Sequence, residues 1–223
     1  SDLIVRELRC GDSTLYAYAI DGLVSGADAS DYIFKPIARD LSGETMAELY
    51  AGALHGAVYT SVADPCGDLD TVALKLVNGF CVVLFPEVGA IAFEVRTPDK
   101  RNTSAPEVEN TVKGPKDAFV ETMRINTGLV RRHLRSPDLR FYGTQVGRRS
   151  LTNVSVVWLE GITDRELVEK MKNRLASIDI DGMLSPSSVE EYITGSRTTA
   201  FPLLQYTERT DRFCQGILNG QVG

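Results

Sequence analysis

The 223-residue sequence predicts an α/β fold of two similar lobes, each a small mixed sheet packed with helices, joined by a linker and a long helix. Two observations carry this. Strand-like and helix-like hydrophobic patterns alternate along the chain, and the order of turns in the first half returns in the second. Asp2-Leu3 opens an apolar-rich run to Gly11, and Asp138-Leu139 opens another to Gly147. A strand pattern then ends on Asp21-Gly22-Leu23 in one copy and on Glu160-Gly161-Ile162 in the other. Asp70 and Asp211 each open a helical stretch that stops at Asn-Gly, at Asn78-Gly79 and Asn219-Gly220.

In the first copy, Leu3 to Leu8 and Leu15 to Ile20 read as strands around a Gly11-Asp12 turn. Helices are expected at Ser30 to Asp40, Thr45 to Ala51 and Asp68 to Val77, with strands at Ala57 to Val62, Phe80 to Phe85 and Ile91 to Val95. In the second, Leu139 to Val146 and Val154 to Leu159 read as strands. A helix follows from Thr163 to Ile178, opened by a Thr163/Glu166 capping box and burying Leu167, Met171 and Leu175. Ser187 to Ile193 and Glu208 to Leu218 are further helices, with a strand at Leu203 to Tyr206. The domains expected are 1–97, a polar Pro- and Asn-containing linker at 98–113, and 114–223. The last begins with a helix over 115–135 that opens on Pro115 and stops ahead of Pro137. Phe119, Met123, Asn126 or Thr127, Val130 and Leu134 would form its buried stripe. The second copy reaches Val222-Gly223 where its next strand would start, and the chain opens on Ser1 rather than Met, so a fragment of a longer protein is expected.

Composition narrows the function. Hydrophobic residues at 43% and charged residues at 24% fit a globular chain. The longest uncharged stretch, Leu49 to Ala63, is shorter and more polar than a spanning helix requires. A net charge of −6 disfavours nucleic acid as a partner. Cys10, Cys66, Cys81 and Cys214 form no CxxC pair, which suits core thiols in a reducing compartment. Phosphate-loop, dinucleotide, zinc-protease and nucleophile-elbow motifs are missing from the sequence. His55 and His133 are its two histidines. Neither catalysis, a cofactor nor a metal is expected. Asp21, Glu160, Asp179 and Asp181 fall at element ends, where turns and caps favour aspartate and where open sheets also place ligand-binding carboxylates.

Charge is unevenly spread. From Lys113 to Arg149 stand Lys113, Lys116, Arg124, Arg131, Arg132, Arg135, Arg140, Arg148 and Arg149 against Asp117, Glu121 and Asp138, which leaves the remainder of the chain strongly acidic. Such a belt suits contact with acidic faces of neighbouring copies.

Several stretches resemble the A-subunit family of spore germinant receptors, the GerA type. They are Lys113-Gly114-Pro115-Lys116-Asp117-Ala118-Phe119, then Arg124, Asn126 and Leu129-Val130-Arg131-Arg132. Gly147-Arg148-Arg149-Ser150, Leu159-Glu160-Gly161-Ile162, Ile178-Asp179-Ile180-Asp181-Gly182 and Phe201-Pro202-Leu203-Leu204-Gln205-Tyr206-Thr207-Glu208-Arg209 follow in order. Thr210 and Gly128 depart from the proline and alanine common there, and a SpoVAF-like sporulation paralogue shares the same motifs. The resemblance implies a non-enzymatic N-terminal domain on the cytosolic (core) side of the spore inner membrane. It would assemble with a B membrane subunit, a C lipoprotein and other A subunits, and couple a nutrient signal to ion release. Lys113, Lys116, Arg124, Arg131, Arg132, Arg148 and Arg149 are then the expected subunit contacts. The alternative is a germinant-binding module built like a two-lobed solute-binding protein, with Asp21 and Glu160 as candidate ligand contacts.

Overall fold

The computed structural model describes residues 2–96, 109, 115, 117–182, 186–194 and 204–223. Their packing divides them into two compact units, residues 2–96 with 135–137, and 109–134 with 138–223. The expected linker, Glu109 excepted, lies outside the described residues.

The first unit opens with the hairpin β1 (Leu3–Cys10) and β2 (Ser13–Ile20), turned at Gly11-Asp12 as the sequence predicts. Strands β3 (Ala63–Cys66), β4 (Phe80–Phe85) and β5 (Gly89–Glu94) complete a five-stranded sheet of order β1-β2-β4-β5-β3. Helices α1 (Gly26–Ala29), α2 (Lys35–Arg39) and α3 (Met46–Gly52) cover one face, and Leu15, Ile33, Ile37, Leu49, Val83, Phe85, Ile91 and Phe93 meet there almost without solvent exposure. On the opposite face, α4 (Leu69–Val77) presses Val72 and Leu76 onto Cys66, Phe80, Val82, Ala90 and Ala92. The result is a layered α/β unit with a sheet buried on both sides over most of its width.

Hairpin β6 (Leu139–Val146) and β7 (Thr152–Leu159) forms the two-stranded sheet of the second unit. Helices α5 (Met123–His133) and α8 (Thr210–Leu218) lie on one face, where Val130, Leu134, Leu139, Val157, Leu159, Cys214 and Ile217 pack together. Helices α6 (Arg165–Ala176) and α7 (Pro186–Thr194) serve the other, around Val146, Val156, Trp158, Met171 and Leu175. The α/β class read from the sequence is therefore the class of the structure. Every ladder among the described strands is antiparallel, where mixed sheets were expected; the short hairpin connections of β1–β2, β4–β5 and β6–β7 permit only that direction.

The repeated turns fold alike. At the first corner the Asp21 N–H donates to the Asp2 carbonyl at 2.8 Å, and at the second the Glu160 N–H donates to the Asp138 carbonyl at 2.9 Å. Asn78 and Asn219 end α4 and α8, each followed by a glycine at positive φ, +81° for Gly79 and +85° for Gly220. A glycine there releases the helix without the steric cost of a Cβ. The correspondence extends to the backbone beside the second strand of each hairpin: β4 pairs Val82 with Tyr18, and Gly223 exchanges backbone hydrogen bonds of 2.8 and 2.9 Å with Val157.

Several expected elements are corrected. The helix expected over 115–135 occupies only Met123–His133. Ahead of it the chain is extended: Ala118 bridges to Arg209, the Phe119 N–H donates to the Glu208 carbonyl, and the Asn126 carboxamide binds both the N–H and the carbonyl of Val120. These partners outcompete helical hydrogen bonds that Pro115 alone could only have initiated. Residues 57–62 form no strand, because a π-helical turn continues α3 over Ala53–Ala57 and β3 begins at Ala63. The helix expected from Ser30 begins earlier, at Gly26, capped by the Ser25 hydroxyl and relaxing into a π turn over Ser30–Phe34. Asp164, not Thr163, caps α6. The Thr163 hydroxyl is buried and accepts the Leu159 N–H instead. The buried face of α6 shifts accordingly to Val168 and Leu175, leaving Leu167 exposed. Residues 204–206 are not a strand, and Leu203 lies outside the described residues.

Candidate functional site

Helix α5 carries the centre of the basic belt. Its apolar side is fixed by Leu129 and Val130, each 2% exposed, with Gly128 also buried. That rotation sends Arg124 to the surface and leaves Arg132 half-buried. Arg131 turns inward, is 5% exposed, and stacks its guanidinium over the Phe141 ring at 4.9 Å. It belongs to the packing of the second unit, so the surface role expected of it is corrected. A buried guanidinium on an aromatic face keeps a favourable electrostatic contact where water is excluded. Lys113 and Lys116 lie outside the described residues.

The Gly147-Arg148-Arg149 corner joins β6 to β7 and is pinned to the irregular stretch after α6. The Arg148 and Arg149 N–H groups donate to the carbonyls of Ile180 and Asp181 at 2.8 and 2.7 Å. Above this backbone frame the Arg148 guanidinium bonds Asp179 at 2.7 Å, and Arg149 faces Asp181 at 3.9 Å. The two motifs Gly147-Arg148-Arg149 and Ile178-Asp179-Ile180-Asp181 thus meet within one unit. All four side chains remain two-thirds or more exposed. Such pairs contribute about 0–1 kcal/mol each, too little to lock the arginines away from an acidic partner.

Asp21 and Glu160 sit at the equivalent corners, each in its own unit. The Glu160 carboxylate accepts the Trp158 indole N–H at 3.1 Å. Beside it, Lys172 of α6 lies 4.6 Å from the Trp158 ring and 5.3 Å from Tyr142 while pairing with Glu169 at 2.8 Å. This aromatic–lysine cluster was missed in the sequence. Strand alternation places Tyr142 and Trp158 on one face of the hairpin, but nothing local points Lys172 at it.

A second clasp forms at the start of α8. Glu109 accepts from Arg212 at 3.0 Å and from the Thr207 hydroxyl at 3.1 Å, and its N–H donates to Glu208. Arg209 grips Asp211 through two hydrogen bonds and holds that carboxyl below the usual carboxylate range. The Tyr206 hydroxyl bonds Glu190, which pushes it up to about 12. Burial pushes the Cys81 and Cys214 thiols up to about 12, with Asp117 and Asp211 adding to the effect at Cys214. They stay protonated at neutral pH. Among the described residues, no group of three or more His, Cys, Asp or Glu could hold a metal ion, and no helix is long and apolar enough to cross a membrane.

Comparison with known proteins places these features in a lineage. The family model described as Bacillus/Clostridium GerA spore germination protein matches residues 1–223. Stage V sporulation protein AF of Bacillus subtilis is 33% identical over 223 residues, covering 99% of this chain and 45% of that protein. Spore germination protein GerLA of Bacillus cereus is 27% identical, covering all of this chain and 46% of its own length. The chain therefore spans somewhat under half the length of these relatives. The crystal structure of the N-terminal domain of the A subunit of the Bacillus megaterium spore germinant receptor GerK3 has the same fold. It gives a TM-score of 0.71 at 23% identity, covering all of this chain and 83% of that one. With a family model matched from first residue to last, the chain belongs to the GerA spore germination family.

Proposed function

We propose that this chain is the N-terminal domain of a germinant receptor A subunit, lying on the cytosolic (core) side of the spore inner membrane. There it supports assembly with a B membrane subunit, a C lipoprotein and further A subunits, and couples a nutrient signal to ion release. The observation that carries this reading is the family match over residues 1–223, together with relatives named as spore germination proteins. The surface supports the assembly part. Arg124 on α5 and the Arg148-Arg149 corner stand exposed on a chain that is acidic overall. Exposed guanidinium groups suit carboxylate-rich faces of neighbouring subunits, to which they can bond bidentately. Charge reversal at Arg124 with Arg148 and Arg149, made in the complete protein within spores, tests it. Smaller native complexes and slower nutrient-triggered ion release are expected. Complexes of unchanged size with unchanged release would refute it.

The 33% identity to stage V sporulation protein AF favours a second reading, a sporulation paralogue rather than a nutrient-specific subunit. Spores lacking the protein distinguish the two. Loss of response to one nutrient class supports the receptor subunit, whereas a defect common to every nutrient supports the paralogue.

A further inference from the structure

The repeat exposes a difference between the units. In the second unit, the face of the β6–β7 hairpin carrying Leu139, Phe141 and Val157 is covered by α5, which lays Val130 and Leu134 on it and stacks Arg131 over Phe141. The extended arm ahead of α5 closes over the start of α8, where Thr210 is fully buried and bonds the Asp117 carbonyl. Leu139 is likewise fully buried. The equivalent positions of the first unit are Leu3, Val5 and Leu69, set by the matching corners and the matching Asn-Gly helix ends. These are apolar, yet 43%, 56% and 83% exposed. They lie along one side of the sheet, with Leu3 and Val5 on β1 opposite Ile20 and Tyr18 on β2, and Leu69 at the head of α4. No described element of the first unit does there what α5 and its arm do in the second.

We propose that this strip is the seat of an amphipathic helix contributed by the stretch of the longer protein that leads into β1. The repeat names the occupant. Helix α5 enters β6 through the short connection 134–138, so a helix in the same place on the first unit enters β1 in the same way. The relatives are more than twice as long as this chain, which leaves ample polypeptide outside it. The expected helix presents apolar residues four apart, as Val130 and Leu134 do, to Leu3, Val5 and Tyr18. Its preceding arm shields Leu69.

Cysteine labelling in the full-length protein tests this. Val5→Cys and Leu69→Cys are compared with Ala38→Cys, an exposed position on α2 away from the strip; the four native cysteines are buried. With the helix seated, both strip positions react with maleimide about tenfold or more slowly than Ala38→Cys, as expected for sites that label only on local opening. Replacing the apolar stripe of the preceding stretch by aspartate brings them to the control rate. Equal rates at all three positions in the unaltered protein would overturn the proposal. So would protection that survives the aspartate replacements, which would assign the strip to another subunit. The Leu69→Cys measurement stands alone should Val5→Cys fail to fold.

Discussion

Replacing Gly79 or Gly220 by alanine tests whether the two halves are built alike. Both glycines end a helix in the left-handed region, at φ +81° and +85°. A Cβ at Gly79 would lie 3.2 Å from the Leu23 carbonyl oxygen, and one at Gly220 would lie 3.3 Å from that of Ile162. The left-handed conformation costs an L-residue about 1–2 kcal/mol. The close carbonyl adds to this, since it belongs to a corner held by its own backbone hydrogen bonds, and a total of about 1.5–3 kcal/mol is expected at each site. For a unit of roughly 100 residues, each kcal/mol lowers Tm by about 4–8 °C. Trp158 is the single tryptophan and stands on β7, so its fluorescence follows the second unit during urea or thermal unfolding. Gly220→Ala should shift that transition, whereas Gly79→Ala should shift the transition of the first unit followed by circular dichroism. Asparagine tolerates the left-handed region better than alanine, so Gly220→Asn should recover part of the loss. A change below about 0.3 kcal/mol at either site, well under the cost of a left-handed alanine, would refute the argument.

Other outcomes follow from the same geometry. Thr163→Val leaves the buried Leu159 N–H without its acceptor and should destabilise the second unit by about 1–3 kcal/mol in urea unfolding. Arg131→Glu places an anion on the buried face of Phe141 and should collapse the Trp158 transition in urea unfolding, whereas an unchanged transition would count against the inward placement of Arg131. The Asp211 carboxyl is held low by Arg209. Its contribution is therefore present above the ordinary carboxylate pKa and is lost as pH falls through the depressed value. Asp211→Asn should lower Tm at neutral pH and converge with the unaltered protein in strong acid; a constant difference across the titration would count against the pair.

Much of the fold was legible because it rests on local signals. The Gly11-Asp12 turn, the alternation in β2 and the Asn-Gly stops at 78–79 and 219–220 each specify their conformation within a few residues. Where several partners compete for the same group, the sequence misleads. Pro115 is a sound helix opener, but the Asn126 carboxamide and the Arg209 bridge draw 117–120 into an extended arm. Thr163 and Glu166 have capping-box spacing, but Asp164 captures the helix while burial claims the Thr163 hydroxyl. The candidate surface shows the same division. A count of charges located the basic segment, but helical phase decides which arginine faces inward. It sends Arg131 to Phe141 and Arg124 to the surface. The partners of Arg148 and Arg149 are some thirty residues away at Asp179 and Asp181, beyond the reach of periodicity.

The assembly role is tested most directly by the native size of the receptor complex extracted from spore membranes carrying the triple Arg124→Glu, Arg148→Glu and Arg149→Glu protein, with ion release measured on the same spores. A smaller complex and delayed release, at unchanged Trp158 unfolding of the domain, are the predicted result. A complex of full size with release at the normal rate would contradict the account.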